Sequence, residues 1–168
     1  NISSGEGGAL IVNSAGFVEL AEVTYHKGTD FLAYQRGGVD RYSWQGLGSS
    51  FVPSEITASF LVAQLLSAPD FTRTRLDAWN RYASLLAGQM PADLLRLPAV
   101  PAEAAHNGHI FPVRVPAAIR NAVIGRMAEK GVEARFHYSP LHDAPAGRRY
   151  GRQHGDLAIT SAASASLI

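Results

Sequence analysis

The chain contains no cysteine. That excludes disulfides, thiolate nucleophiles and cysteine-ligated metals, and it fits a reducing compartment such as the cytoplasm. A dominant charge sign is missing too: 15 basic residues face 14 acidic ones, for a formal net charge of +1 with no long run of either sign. This leaves no electrostatic footprint for nucleic acid or an anionic membrane. No uninterrupted apolar run approaches the roughly 20 residues of a membrane span. No methionine opens the chain and its first residues are no signal peptide, so it is expected to be a piece of a longer protein. There is no internal repeat and no Gly-x-Ser-x-Gly stretch. What remains is sufficient for a core: 46% of 168 residues are apolar, enough for one good-sized domain or two small ones.

Along the chain, GEGG at Gly5 to Gly8 lacks dinucleotide-fingerprint spacing, because Leu10 stands where the third glycine would be. Ala9 to Val12 suits a short buried strand. Asn13 and Ser14 can cap a helix with Phe17, Leu20, Ala21 and Thr24 on one face, closed by Lys27 and Gly28. Pro53 and Ser54 mark another helix start. Pro69-Asp70 is expected to interrupt it, with Asp70 capping a second helix whose stripe of Leu76, Trp79, Tyr82 and Leu86 serves packing and ends at Gly88. The prolines between Pro91 and Pro101 read as a linker. His109 to Val115 alternates as a strand, at an edge or bulged because of Pro112. Pro116 opens a helix through Ile119, Val123 and Met127 to Gly131, and Val132 to Tyr138 alternates again. Ala144 to Asp156 reads as a Gly- and Arg-rich loop, and Thr160 to Ile168 tolerates a helix.

Candidate chemistry gathers in a few places. Arg36 to Glu55, RGGVDRYSWQGLGSSFVPSE, has two turn-forming glycines and then an Arg, an Asp, a Tyr and a Trp close together. Loops of that texture carry binding groups, although a structured surface turn leading into a helix has the same composition. In RFHYSPLHDAP, His137 and His142 with Asp143 carry donors a metal accepts, but five-residue spacing across a strand end and a proline matches no common ligand pattern. Surface histidines explain them equally well, and no metal is expected. His106 and His109 give an equally weak signal. Arg36, Arg41, Arg148, Arg149 and Arg152 all lie near glycines; together these loops suit an anionic small molecule.

Taken in order, GEGGAL, Lys27-Gly28-Thr29, RGGVDRYSW, GSSFVPSE, HNGHIF, FHYSPLH and AGRRYGR resemble the DegT/DnrJ sugar aminotransferases, fold-type-I enzymes that use pyridoxal phosphate. The similarity spans essentially the whole chain and is nearest the nucleotide-linked 4-amino-4,6-dideoxygalactose transaminases. It implies an α/β fold: the C-terminal half of such an enzyme, with the end of the large cofactor domain over 1–52, spanning helices over 53–90 and an incomplete small domain over 91–168. The implied reaction moves an amino group, from glutamate, to a 4-keto-6-deoxy sugar nucleotide in a cytoplasmic homodimer that makes deoxysugars for lipopolysaccharide or cell envelope.

In the family the Schiff-base lysine stands just before the segment matching Asn1 to Gly8, so no catalytic residue is expected here and the 168 residues alone should not transaminate. The resemblance assigns Ser43 and Tyr42 to the cofactor, through a loop that reaches towards a partner's phosphate. It assigns Arg36, Trp44, His137 and His142 to the substrate. Gly46 replaces a family Asp, a departure that bears on the local capping geometry. Two alternatives stay open. Some relatives carry histidine for the lysine and dehydrate, and a chain with binding groups but no anchor would serve as a sugar-nucleotide-binding or assembly module.

Overall fold

Turn chemistry and helical spacing account for most of what forms in the computed structural model, which describes residues 1–168. A 3-10 turn at Ala15–Phe17 leads into α1 (Val18–Tyr25), and Ser14 precedes it with its hydroxyl uninvolved in capping. The chain then reverses at Lys27 and Gly28, both at positive φ, and Asp30 precedes the short α2 (Phe31–Gln35). Ser54 accepts a hydrogen bond from the Thr57 N–H at 3.2 Å, the N-cap expected before α3 (Glu55–Leu86). Pro116 opens α4 (Ala117–Glu129), as its spacing predicts. Gly131 and Val132 return their N–H groups to Ala128 and Met127, closing it in a Schellman motif. Two shorter helices follow, α5 (Pro145–Tyr150) and α6 (Ala158–Ser166).

Several expectations need correction. The helix is not broken at Pro69-Asp70: α3 runs through as 32 residues. Pro69 removes only one ladder donor, that to Leu65, and intact turns continue on both sides. Asp70 therefore caps nothing; it pairs with Arg73 one turn on at 2.7 Å. Within 144–156, Pro145 at the first helical position starts α5, where composition suggested a loop. Residues 9–12, 109–115 and 132–138 do not form strands. Pairing is confined to isolated bridges, because a ladder needs a neighbouring extended segment and the chain supplies these only at points.

Asn1–Pro69 and Asp70–Ile168 are separate units. In the first, residues 24–30 run beside 43–51, bridged at His26 with Ser50 and at Thr29 with Trp44. The approach is close enough that Gly28 O accepts from both Gln45 and Gly46 N–H groups, at 2.7 and 3.1 Å. In the second, the α3 stripe packs as expected: Trp79 lies edge-on to His106 and Phe111, and Tyr82 lies tilted against Phe111. Arg114 bridges Arg96 on one side and Leu167 on the other, and the Val115 N–H reaches Ser166 O. This holds α6 alongside α4. The buried hydrophobic residues are Val23 and Val115.

Candidate functional site

In the loop from Arg36 to Ser50, one carboxylate ties down Ser43 and Gln45. Asp30 Oδ1 accepts the Ser43 N–H at 2.6 Å and Oδ2 accepts Gln45 Nε2 at 3.0 Å, while the Asp30 N–H returns to Ser43 O at 3.2 Å. Gln45 Nε2 also donates to Ser43 Oγ at 2.8 Å. The exposed Ser43 hydroxyl thus accepts within the loop and keeps its hydrogen to donate. Tyr42 is seated edge-on against Phe31, with ring centroids 5.3 Å apart, and against Tyr34 at 5.7 Å; it remains half exposed. Trp44 is 83% exposed, a large apolar ring in water beside backbone that is fixed through Thr29. Gly46, the departure from the family pattern, has open space where a side chain would project, so its own backbone requires no glycine for lack of room.

Arg36 belongs to the same loop but faces elsewhere. Its guanidinium forms a two-pronged pair with Glu22 of α1, at 2.8 and 2.9 Å. That hydrogen bond, joined by the Arg36 charge, holds the Glu22 carboxyl below its ordinary value of 4.5 and raises the guanidinium further. Because the folded value is depressed, the stabilisation is present above 4.5 and is lost as pH falls through the folded value. Protection of the Arg36 to Gly38 amides, which bond back to Leu32, Tyr34 and Ala33, should therefore drop in acid. Glu22→Gln should show the same low protection at neutral pH. Equal protection in both proteins, measured by hydrogen exchange, would rule the pair out as the tether.

The second set lies in the other unit. A cavity of about 380 Å³ opens between the start of α4, the 136–143 segment and α6. Arg120, Asn121, Phe136, His137, Asp143 and Ser161 are on its wall. Arg120 is fixed there, donating to Asn121 Oδ1 and Ser164 O and standing 5.7 Å over the Phe136 ring. His137 also lines a neighbouring, mainly apolar cavity with Tyr138 and Ile159. His142 is not on the polar wall; its imidazole, 11% exposed, lies behind it against Ser161 and Asp143. Phe136 and Tyr138, on the alternating stretch, are largely exposed. The structure thus groups Tyr42, Ser43 and Trp44 in one unit, with Arg36 turned to Glu22, and His137 and His142 in the other. Sequence reasoning missed Asp30, Arg120 and Ser161 as members of these clusters.

The lysines are Lys27, at the turn after α1, and Lys130, at the end of α4, and both are exposed. Neither lines either of these two cavities. No helix is long and apolar enough to cross a membrane.

Among known proteins, a dTDP-4-dehydro-2,3,6-trideoxy-D-glucose 4-aminotransferase from Saccharopolyspora spinosa is 28% identical over 101 residues, 60% of this chain and 26% of that protein. The aminotransferase TlmJ from Streptoalloteichus hindustanus is 26% identical and superposes with a TM-score of 0.71, over 92% of this chain and 39% of its own. The sugar aminotransferase CalS13 from Micromonospora echinospora, 14% identical, shares the fold with a TM-score of 0.79 over 99% of this chain and 42% of its own. The chain therefore spans from about a quarter to two-fifths of these proteins' lengths, and its architecture is that of part of a fold-type-I aminotransferase. Residues 1–168 match the DegT/DnrJ/EryC1/StrS aminotransferase family from end to end, and the chain belongs to that family.

Proposed function

We propose that these residues are the C-terminal portion of a pyridoxal-phosphate-dependent sugar-nucleotide aminotransferase. The whole enzyme would transfer an amino group from glutamate to a 4-keto-6-deoxy sugar nucleotide. The observation that carries this is the family match over 1–168, together with a relative whose name specifies a 4-dehydro deoxysugar linked to dTDP. Residues 1–52 would end the large domain, 53–90 would form its spanning helix, and 91–168 most of the small domain. Large apolar side chains left in water within each unit, Trp44 and Leu47 in one and Leu141 and Ile159 in the other, support coverage by further polypeptide or a second copy. A homodimer would supply such cover.

Pyridoxal phosphate, when bound, supplies the electron sink and carries the amino group between the two substrates. A structural relative, Spr1654 from Streptococcus pneumoniae, has been solved in its PLP form. In this chain the donors fit the phosphate end of such a group. The Ser43 hydroxyl keeps its hydrogen to donate from a loop tied down by Asp30, and the Tyr42 ring braces that loop on Phe31. Nothing here fits the aldehyde end, which needs a lysine inside a cavity, and both lysines stand in solvent. The covalent anchor would therefore come from other residues of the enzyme. Trp44 would cover the bound sugar nucleotide, with Arg36 keeping the loop in place through Glu22. His137 would serve the substrate from the cavity at 136–143, and His142 from behind its wall.

In the full-length enzyme, Ser43→Ala is expected to weaken cofactor binding about tenfold, the scale of a hydrogen bond to a charged group. Cofactor titration by absorbance reads this directly. The 168 residues alone should show neither the cofactor's absorbance band nor amino transfer from glutamate, and turnover by them would overturn the split assignment.

A further inference from the structure

Asp143 and Ser161 stand on the cavity wall, 18 positions apart in sequence, and His142 supports both from behind. His142 Nε2 lies 3.1 Å from Ser161 Oγ and 3.5 Å from Asp143 Oδ2, while Ser161 Oγ lies 3.4 Å from the same carboxylate oxygen. The other oxygen, Oδ1, accepts from Arg148 Nη2 of α5 at 3.3 Å. A carboxylate only accepts, and a hydroxyl has one hydrogen to give. If Nε2 carried a lone pair, it would face the carboxylate oxygen, and the serine could satisfy only one of its two neighbours. With the proton on Nε2, every contact becomes attractive: the imidazole donates to Ser161 Oγ, and Ser161 donates to Asp143. No buried side-chain nitrogen or oxygen lacks a partner, so His142 Nδ1, which has none in the protein, reaches solvent.

We propose that His142 is a positioning residue. It fixes the direction of this relay, so that Ser161 and Asp143 present acceptors to the cavity and read a hydroxyl of the sugar in a sugar nucleotide. The identity of the ligand rests on the function proposed above; the relay does not. The remaining lone pair of Ser161 Oγ and those of the Asp143 carboxylate would take the sugar hydroxyl. Phe136 and Pro140 offer the apolar surface against which a sugar ring packs, and Asn121 and Ser139 the flanking polar groups. At about 380 Å³ the space is within the range of small-molecule sites.

Two measurements on the full-length protein test this. Nitrogen-15 spectra of the histidines should show a hydrogen on His142 Nε2. Ser161→Ala combined with Asp143→Ala should release that preference, because both groups that face Nε2 are then gone, while Ser161→Ala alone leaves the carboxylate 3.5 Å away and should keep it. A bare Nε2 in the wild type, or an unchanged tautomer in the double variant, overturns the relay. Binding is then followed with dTDP-glucose and with dTDP as probes. Ser161→Ala and His142→Ala should each weaken dTDP-glucose about tenfold and leave dTDP within twofold, with Ser161→Thr near the wild type. Equal losses for both probes, or none, overturn the hydroxyl-reading role. Should the wild type bind neither probe while the tautomer is as stated, the ligand assignment fails and the relay stands.

Discussion

Gly28→Ala is expected to destabilise the first unit by about 2–5 kcal/mol, combining the left-handed backbone penalty with a clash that only backbone can relieve. Gly28 has φ of +79°. A Cβ there would lie 2.1 Å from Gly46 O and 3.2 Å from Gly48 N. Neither atom belongs to a side chain that can rotate away. Retreat of 46–48 would break the two hydrogen bonds from Gln45 and Gly46 to Gly28 O, and those bonds hold the segment just after Ser43. The expected result is a loop freed from α1, with lower urea resistance and lost protection at Gln45 and Gly46. Gly46→Asp is the control, because a side chain there meets open space and restores the residue type common in the family. A Gly28→Ala protein that unfolds within about 0.5 kcal/mol of the wild type, the range of an ordinary surface change, would show that the turn is not closed as described.

Gly147→Ala carries the second large effect. Its Cβ would fall 1.6 Å from Leu141 O and 2.6 Å from Leu141 C, a collision with the turn between Pro140 and Asp143. That turn is already committed: the N–H groups of Asp143 and Ala144 both reach Pro140 O. Either α5 or the turn must move, at about 3 kcal/mol, the upper part of the usual overpacking range. Arg148 is the next residue, so the displacement pulls its guanidinium from Asp143 Oδ1. Thermal melting should drop, and dTDP-glucose affinity should fall by more than tenfold if Asp143 reads the sugar. Wild-type melting with unchanged affinity would contradict the close packing.

Local signals were legible from the residues and distant ones were not. Ile119, Val123 and Met127 with Pro116 and Gly131 define α4 because helix spacing and caps lie within a few residues of each other. The texture of Arg36 to Ser50 identified a loop with Tyr42, Ser43 and Trp44 at its tip for the same reason. Strand expectations at 109–115 and 132–138 rested on alternation, but alternation says nothing about whether a neighbour is there to pair with. Asp30 holds Gln45 from 15 residues away, and Ser161 meets His142 from 19 away; no periodicity registers contacts of that separation. Pro69 misled because a single lost hydrogen bond does not outweigh the turns of α3 on either side. The fold-level assignment came from the ordered set of motifs and not from any one of them.

Val23 and Val115 as the buried hydrophobic residues carry a thermodynamic consequence. Heat-capacity change and denaturant sensitivity both scale with the area exposed on unfolding. With so little apolar area withdrawn from water, a calorimetric trace of this chain by itself should be broad and shallow, with a small heat-capacity step.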